Sequence, residues 1–354
     1  MDGKLMTNNY FHRVERLTKT KFWINNPTRE EADWAIDEGA KGCTCNPSYC
    51  GKMIFDRPRE KEYANQIFDQ VLKEASSATA AEEELQRRLI GPIAEKFLPI
   101  YEDSNGENGF VSIQGDPVNE DDPEVVIREA HKNRQVGKNI CCKIPTTKSG
   151  LIAMETLIAE DIPINATEVF AIQQAVDLCE LYKKVSEKSG KFPKLYISHI
   201  TGIYDEYLAE EAAREGIDIS PDILWQSGLA IARKLYQIYV DRGYKVTFVG
   251  GGARGLQHFT EMVGGDVCVT INWGGMADEL LRSDIPVVER IQNPVPDYVV
   301  EELMEKLPDF RRGYEEGGMN IEEYEEFGPV VKFRKSFLKN WNSVLDEAEN
   351  RLAK

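Results

Sequence analysis

A parallel (β/α)8 barrel is the fold class this sequence predicts, and three observations predict it. Eight short apolar runs recur along the chain. Most are followed by a longer stretch with apolar residues at helical spacing. The 354 residues leave room for a barrel of about 250 residues with added helices. Strand and helix alternating in this way close a parallel sheet on itself, with the chemistry at the carboxyl ends of the strands. The rival is a doubly wound open sheet, which calls for a Gly-rich turn after its first strand. The residues there, Ile24-Asn-Asn-Pro-Thr28, are not one.

In order, the predicted strands are Lys21–Ile24, Gly42–Thr44, Gly109–Ser112, Asn139–Lys143, Ile162–Ile164, Lys194–Ser198, Lys245–Val249 and Asp266–Thr270. Helical patterns follow the first, third, fourth and fifth over Glu30–Ala40, Pro123–Gln135, Thr147–Glu160 and Thr167–Val185. The whole chain, 1–354, reads as one domain: a barrel over 20–290, a helical insertion at 50–108 and a helical extension at 291–354. Within the insertion, helical runs cover Arg59–Ser76 and Ala80–Phe97. The extension passes an acidic stretch, Gly313–Gly328, before a last helix. There Phe333, Phe337, Leu338, Trp341, Val344, Leu345 and Ala348 form one apolar stripe, which docks on the barrel or on a second subunit.

Composition narrows the function classes. Hydrophobic residues at 42% and aromatics at 9% describe a folded globular chain, and no apolar run approaches the ~20 residues of a membrane span. Residues 1–20 carry no apolar block of a secretory signal, so a cytoplasmic protein is expected. A net charge of −17 without clustered Lys or Arg argues against nucleic acid as a partner. The seven cysteines suggest reduced thiols: Cys141 and Cys142 are adjacent, and Cys179 and Cys268 stand alone in apolar stretches. Cys43, Cys45 and Cys50 lack a following His at ligand spacing, and Cys43 and Cys45 read as same-face side chains of a strand, so no metal is expected.

Lys143 is the candidate for a Schiff-base amine, against the alternative of a strand-end lysine that snorkels to solvent. A short apolar strand delivers it to a carboxyl end, and burial there disfavours the ammonium and leaves more of the nucleophilic amine. Polar residues gather at the other strand ends: Thr44 and Asn46 on the second, Gln114 and Asp116 on the third, Asn165 and Thr167 on the fifth, Ser198 and His199 on the sixth. Arg254 follows the Gly250-Gly-Gly252 turn after the seventh. Singly, each of these could be a cap or a turn residue; together they converge on Lys143.

These segments resemble the transaldolases and fructose-6-phosphate aldolases. Gly42-Cys-Thr-Cys-Asn-Pro-Ser48 is similar to that family's Thr-Asn-Pro motif, Lys143-Ile-Pro-Thr-Thr-Lys-Ser-Gly150 to its lysine motif, and Ile162–Phe170 with Gln173-Gln-Ala175 to the segment after its fifth strand. The resemblance runs over about residues 20 to 285, and the final helix is similar too. It implies a cofactor-free barrel in which Lys143 forms an imine with a sugar or sugar-phosphate ketose. The C3–C4 bond then breaks, and the dihydroxyacetone unit stays on the lysine for transfer to an aldehyde or release by water. It further implies that Asn46, Asn165 and Ser198 hydrogen-bond the hydroxyls of that unit, that Thr167 holds the water used in proton transfer, and that the chains associate as homo-oligomers.

Three positions depart from the family. Its first-strand aspartate, which handles the C4 hydroxyl proton, falls at Asn25, and the transaldolase glutamate of the third strand falls at Gln114, as in the aldolase branch. Neither amide can serve as a general base. A phosphate-gripping arginine falls near Ile203, which leaves Arg254 as the anion contact and suggests a substrate with an altered far end. His199 is the first candidate for the missing acid–base group, followed by Tyr196 and Asp116. Two function classes stay open: a Schiff-base lyase or transferase, and a noncatalytic barrel that binds a sugar or a partner protein.

Overall fold

The computed structural model describes residues 9–353. The leader expectation concerns residues 1–20, of which 1–8 lie outside the described residues. Eight parallel strands close in sequence order: β1 (Lys21–Asn25), β2 (Gly42–Cys45), β3 (Phe110–Gln114), β4 (Ile140–Pro145), β5 (Ile164–Val169), β6 (Leu195–Ile200), β7 (Thr247–Gly251) and β8 (Val267–Ile271). β1 meets β8 from Lys21 opposite Cys268 to Ile24 opposite Ile271, which closes the sheet and leaves no edge. The protein is therefore a (β/α)8 barrel. No helix among the described residues is long and apolar enough to cross a membrane.

Nearly every strand ends beyond its apolar run. The polar residues expected just past the ends, Asn25, Gln114, Asn165, Thr167 and His199, lie inside β1, β3, β5 and β6. Parallel pairing uses only backbone groups, so a polar side chain facing the barrel interior does not end a strand. The largest correction is at Thr167–Val169, predicted as helix and found as the end of β5, with the helix starting at Ile172. A register shift against β6 occupies these positions, and Glu168 adopts φ +60°. Such a bulge bends the strand and re-aims a side chain. Gln174 holds it in place: its Oε1 accepts from the Phe170 and Ala171 amides at 2.9 and 3.0 Å, and its Nε2 donates to the Thr146 and Glu168 carbonyls at 2.8 and 3.1 Å.

Side chains fill the barrel in layers. Trp23, Phe110, Cys141, Tyr196, Val249 and Cys268 form a separate buried cluster. Two residues further along, the strands present Asn25, Ser112, Lys143, Ser198, Gly251 and Thr270 on the same inner face. Cys43 and Cys45 share a face of β2, with their Sγ atoms 3.8 Å apart. An apolar floor therefore carries a polar upper storey.

Between β2 and β3 the chain forms helices Pro58–Leu72 and Ala78–Asp103, and the C-terminal helix Gly328–Leu352 packs on the second of these. That helix buries Phe333, Phe337, Trp341, Val344 and Ala348 against the chain's own barrel and insertion, so its stripe is used within the chain. Gly150, in the first turn of helix Lys148–Ala159, sits so close to β4 that a Cβ there would lie 1.8 Å from the Pro145 carbonyl oxygen. Gly150→Ala is expected to push this helix off β4 and lower stability by about 1–3 kcal/mol, read as a reduced midpoint in urea unfolding.

Candidate active site

The inner face of β4 places Lys143 opposite Gln114 of β3 and Asn165 of β5 in the strand register. Lys143 is 7% exposed, and its Nζ donates to Gln114 Oε1 at 3.0 Å. Burial pushes its amine down to about 8, against the opposing attraction of Glu168, Cys45 and Glu120. A ring of hydrogen bonds runs around the same storey. Ser198 Oγ donates to Asn165 Oδ1 at 2.7 Å and Asn165 Nδ2 to Ser112 Oγ at 3.2 Å. Thr44 Oγ1 donates to Asn25 Oδ1 at 2.9 Å and Asn25 Nδ2 to Asn272 Oδ1 at 2.9 Å. Thr167 is fully buried, and its hydroxyl has no hydrogen-bond partner among the described residues.

A cavity of about 230 Å³ opens over Lys143, roofed by Phe333, Ser336, Phe337 and Asn340 of the C-terminal helix. The Phe337 ring centroid lies 5.9 Å from Lys143 Nζ. Asn25, Thr44, Asn46, Ser198 and Arg254 line the same cavity. Asn46 also keeps the turn role, since its Oδ1 accepts from the Ser48 amide at 3.1 Å. Among the described residues that line the cavity, the ionisable ones are Lys52, Lys143 and Arg254, all basic. A chain of net charge −17 thus concentrates cationic groups at one opening, which favours an anionic ligand.

The family model for Transaldolase/Fructose-6-phosphate aldolase matches residues 22–289. This chain belongs to that family. A transaldolase of Trichodesmium erythraeum is 26% identical over 229 residues, 57% of this chain and 58% of that protein. Transaldolase 2 of Nostoc punctiforme is 29% identical over 195 residues, 52% and 49% of the two chains. A transaldolase of Thiobacillus denitrificans is 25% identical over 262 residues, 69% and 70%. The chain therefore spans about half the length of the first two relatives and more of the third.

As a transaldolase/fructose-6-phosphate aldolase family member, the chain puts several expected residues in one place and one elsewhere. His199 does not reach the cavity. Strand alternation turns it outward because Ser198 faces in, and its ring lies 2.9 Å from the Val169 carbonyl and 3.0 Å from that of Gly228. It is fully buried there, and burial pushes its pKa down. That placement corrects the expectation of an acid–base role. Tyr196 faces inward but one storey too low, packed on Trp23 with ring centroids 4.9 Å apart, and burial pushes its phenol up. Asp116 caps a turn, accepting from the Val118 amide at 2.7 Å and Asn119 Nδ2 at 2.6 Å.

Sequence reasoning missed three groups. Glu168 is 0% exposed, accepts from Gln114 Nε2 at 3.1 Å, and its other oxygen has no hydrogen-bond partner among the described residues. Burial pushes its carboxyl up to about 7, opposed by Lys143, Gln114 and Arg334. Glu120 lies beside it, buried and pushed well up by desolvation and by Glu168, with Arg334 at 3.7 Å. Lys52 lines the cavity, pushed down by burial and by the nearby Arg57 and Arg254. Glu168 was hidden by the helix predicted from Thr167, at whose first turn a glutamate reads as solvated. Glu120 and Lys52 carry no motif, and nothing in their local sequence points to the site.

Proposed function

We propose that this protein forms an imine between Lys143 and a ketose and then cleaves or transfers the bound dihydroxyacetone unit. The observation that carries the reading is one buried amine at the base of a roofed cavity, ringed by Asn25, Thr44, Asn165 and Ser198 as hydroxyl-binding groups. Family membership supports it, and so does the cost of burying an amine, which a neutral residue would avoid. Asn25 in the aspartate position and a cavity lined, among the described residues, by no carboxylate favour the second reading, a sugar-binding barrel without turnover. Borohydride trapping with dihydroxyacetone, fructose and fructose 6-phosphate, read by peptide mass spectrometry, separates the two. An adduct on Lys143 supports the first reading; a folded protein with no adduct from any ketose supports the second.

Lys52 revises the expectation for the substrate's far end. Ile203 removes one cation, yet Lys52 and Arg254 line the same cavity, and Arg254 meets Glu206 at 2.8 Å on its exposed side. The His258 ring anchors this loop, accepting from the Arg254 amide at 3.0 Å while its other nitrogen lies 2.8 Å from Asp205 Oδ2. The reading is a substrate whose far end carries a phosphate or carboxylate. Lys52→Ala is expected to raise KM for a phosphorylated ketose by about tenfold or more, the scale of one charged hydrogen bond, and to leave KM for dihydroxyacetone unchanged. Equal changes for both substrates would remove Lys52 from the far-end site.

A further inference from the structure

The reading above leaves two buried carboxyls near Lys143 without a role, Glu120 and Glu168, and Glu168 is the one hydrogen-bonded to the Gln114 amide that meets Lys143. Glu168 reaches the site because the β5 bulge puts it in a left-handed conformation, a strained geometry for a glutamate that Gln174 stabilises with four hydrogen bonds. In regular alternation its side chain would leave the barrel, as Ala166 does. Instead it receives Gln114 Nε2 at 3.1 Å, while Gln114 Oε1 faces Lys143 Nζ at 3.0 Å. The carboxylate therefore decides which way the amide points, since an ionised carboxylate only accepts. With the oxygen turned to Lys143, the amine has an acceptor for one N–H.

We propose that Glu168 is the proton-holding partner of Lys143, supplying from β5 the carboxylate that Gln114 does not supply from β3. The inference rests on the Schiff-base reading. In the first step the Lys143 ammonium gives one proton to Gln114 Oε1 as Gln114 Nε2 gives one to the Glu168 carboxylate, leaving a neutral amine, Gln114 in its imidic-acid form and a carboxylic acid. The amine attacks the ketose carbonyl and gives the carbinolamine. Glu168 returns its proton to Gln114 Nε2 as Gln114 Oε1 gives its own to the carbinolamine hydroxyl, which leaves as water as the nitrogen lone pair forms the C=N bond. The product is a cationic iminium beside a carboxylate, so charge balances at each stage. Glu168 acts on the substrate through Lys143 and Gln114, which makes it a positioning residue.

A purely electrostatic role predicts the opposite result on substitution. The charge of Glu168 holds the Lys143 pKa up, so removing it frees more amine and speeds imine formation near neutral pH. A proton-holding role slows it. The experiment is the rate of borohydride-trapped adduct on Lys143 with dihydroxyacetone, from pH 5.5 to 9.5, for the wild type, Glu168→Gln, and Glu168→Gln combined with Gln114→Glu. The wild type should show a bell peaking between 7 and 8. The acid limb is Lys143 losing its proton as pH rises through about 8, and the alkaline limb is Glu168 losing its own through about 7. The groups facing Glu168 are Lys143 from β4, Gln114 from β3, Arg334 from the C-terminal helix and Glu120 from the segment after β3, itself near Asp116 and Glu325.

Glu168→Gln should slow trapping by about 10²-fold or more and remove the alkaline limb, and the double variant should recover at least about tenfold. Trapping by Glu168→Gln at or above the wild-type rate, with both limbs in place, overturns the proposal. If Glu168→Gln does not fold, the wild-type profile still decides: a rate that rises through pH 9 without an alkaline limb overturns it. A wild type that traps nothing removes the Schiff-base reading, and this inference falls with it.

Discussion

On the proposed Schiff-base reading, Lys143→Met is expected to lower turnover by roughly 10⁴-fold or more, the scale of nucleophile removal, and to leave the fold intact. Methionine nearly matches the length of lysine and brings no charge into the barrel. A buried amine whose pKa is pushed from 10.5 to about 8 opposes folding at neutral pH, because the unfolded chain binds the proton more tightly. The unfolding midpoint of Lys143→Met should therefore equal or exceed that of the wild type. The sign follows from linkage: with the folded pKa depressed, wild-type stability gains as pH rises from about 8 toward 10.5, and Lys143→Met should lose that gain. Lys52 lines the same cavity and is also pushed down, so it is the competing amine. Peptide mapping separates them: an adduct on Lys52 in the wild type, or retained activity in Lys143→Met, would refute the assignment of Lys143.

Phe337→Ala has the second largest expected effect and acts on the site through solvent. Phe337 is 1% exposed, belongs to the C-terminal helix, and stacks its ring edge on Phe333 with centroids 4.5 Å apart over the cavity. Truncating a buried phenylalanine costs about 3–5 kcal/mol of stability. The larger functional effect comes from water admitted beside Lys143. Burial is the first cause of its lowered pKa, so hydration moves it back toward 10.5, and below pH 8 each unit of that rise removes close to tenfold of the free amine. The acid limb of the trapping profile should shift upward by about one unit or more, with the rate at pH 7 falling to match. An unchanged acid limb in a folded Phe337→Ala protein would show that the roof does not control the amine.

The site was unevenly legible in the sequence. Lys143, Gln114, Asn165, Thr167 and Ser198 could be named because polar residues stand out at the ends of apolar strands, and Asn25 because the family resemblance puts an aspartate there. His199 failed on the same rule, since it neighbours an inward Ser198 and so must face out. Thr167–Val169 failed because polar Thr167 and Glu168 follow a short apolar run, a pattern that also begins a helix. The bulge itself depends on the pairing with β6 and on Gln174, both beyond a local window.

By itself the sequence determined the closed parallel barrel and the lysine on its fourth strand, because repeating apolar runs and residue identity are local properties, while the amides at Asn25 and Gln114 stand out only through the family resemblance. Only the tertiary structure decided which carboxylate stands behind that lysine, which cations share its cavity and what roofs it. Glu168, Lys52 and Phe337 come from a strand bulge, an insertion and a C-terminal helix, and their meeting depends on packing between segments far apart in the chain.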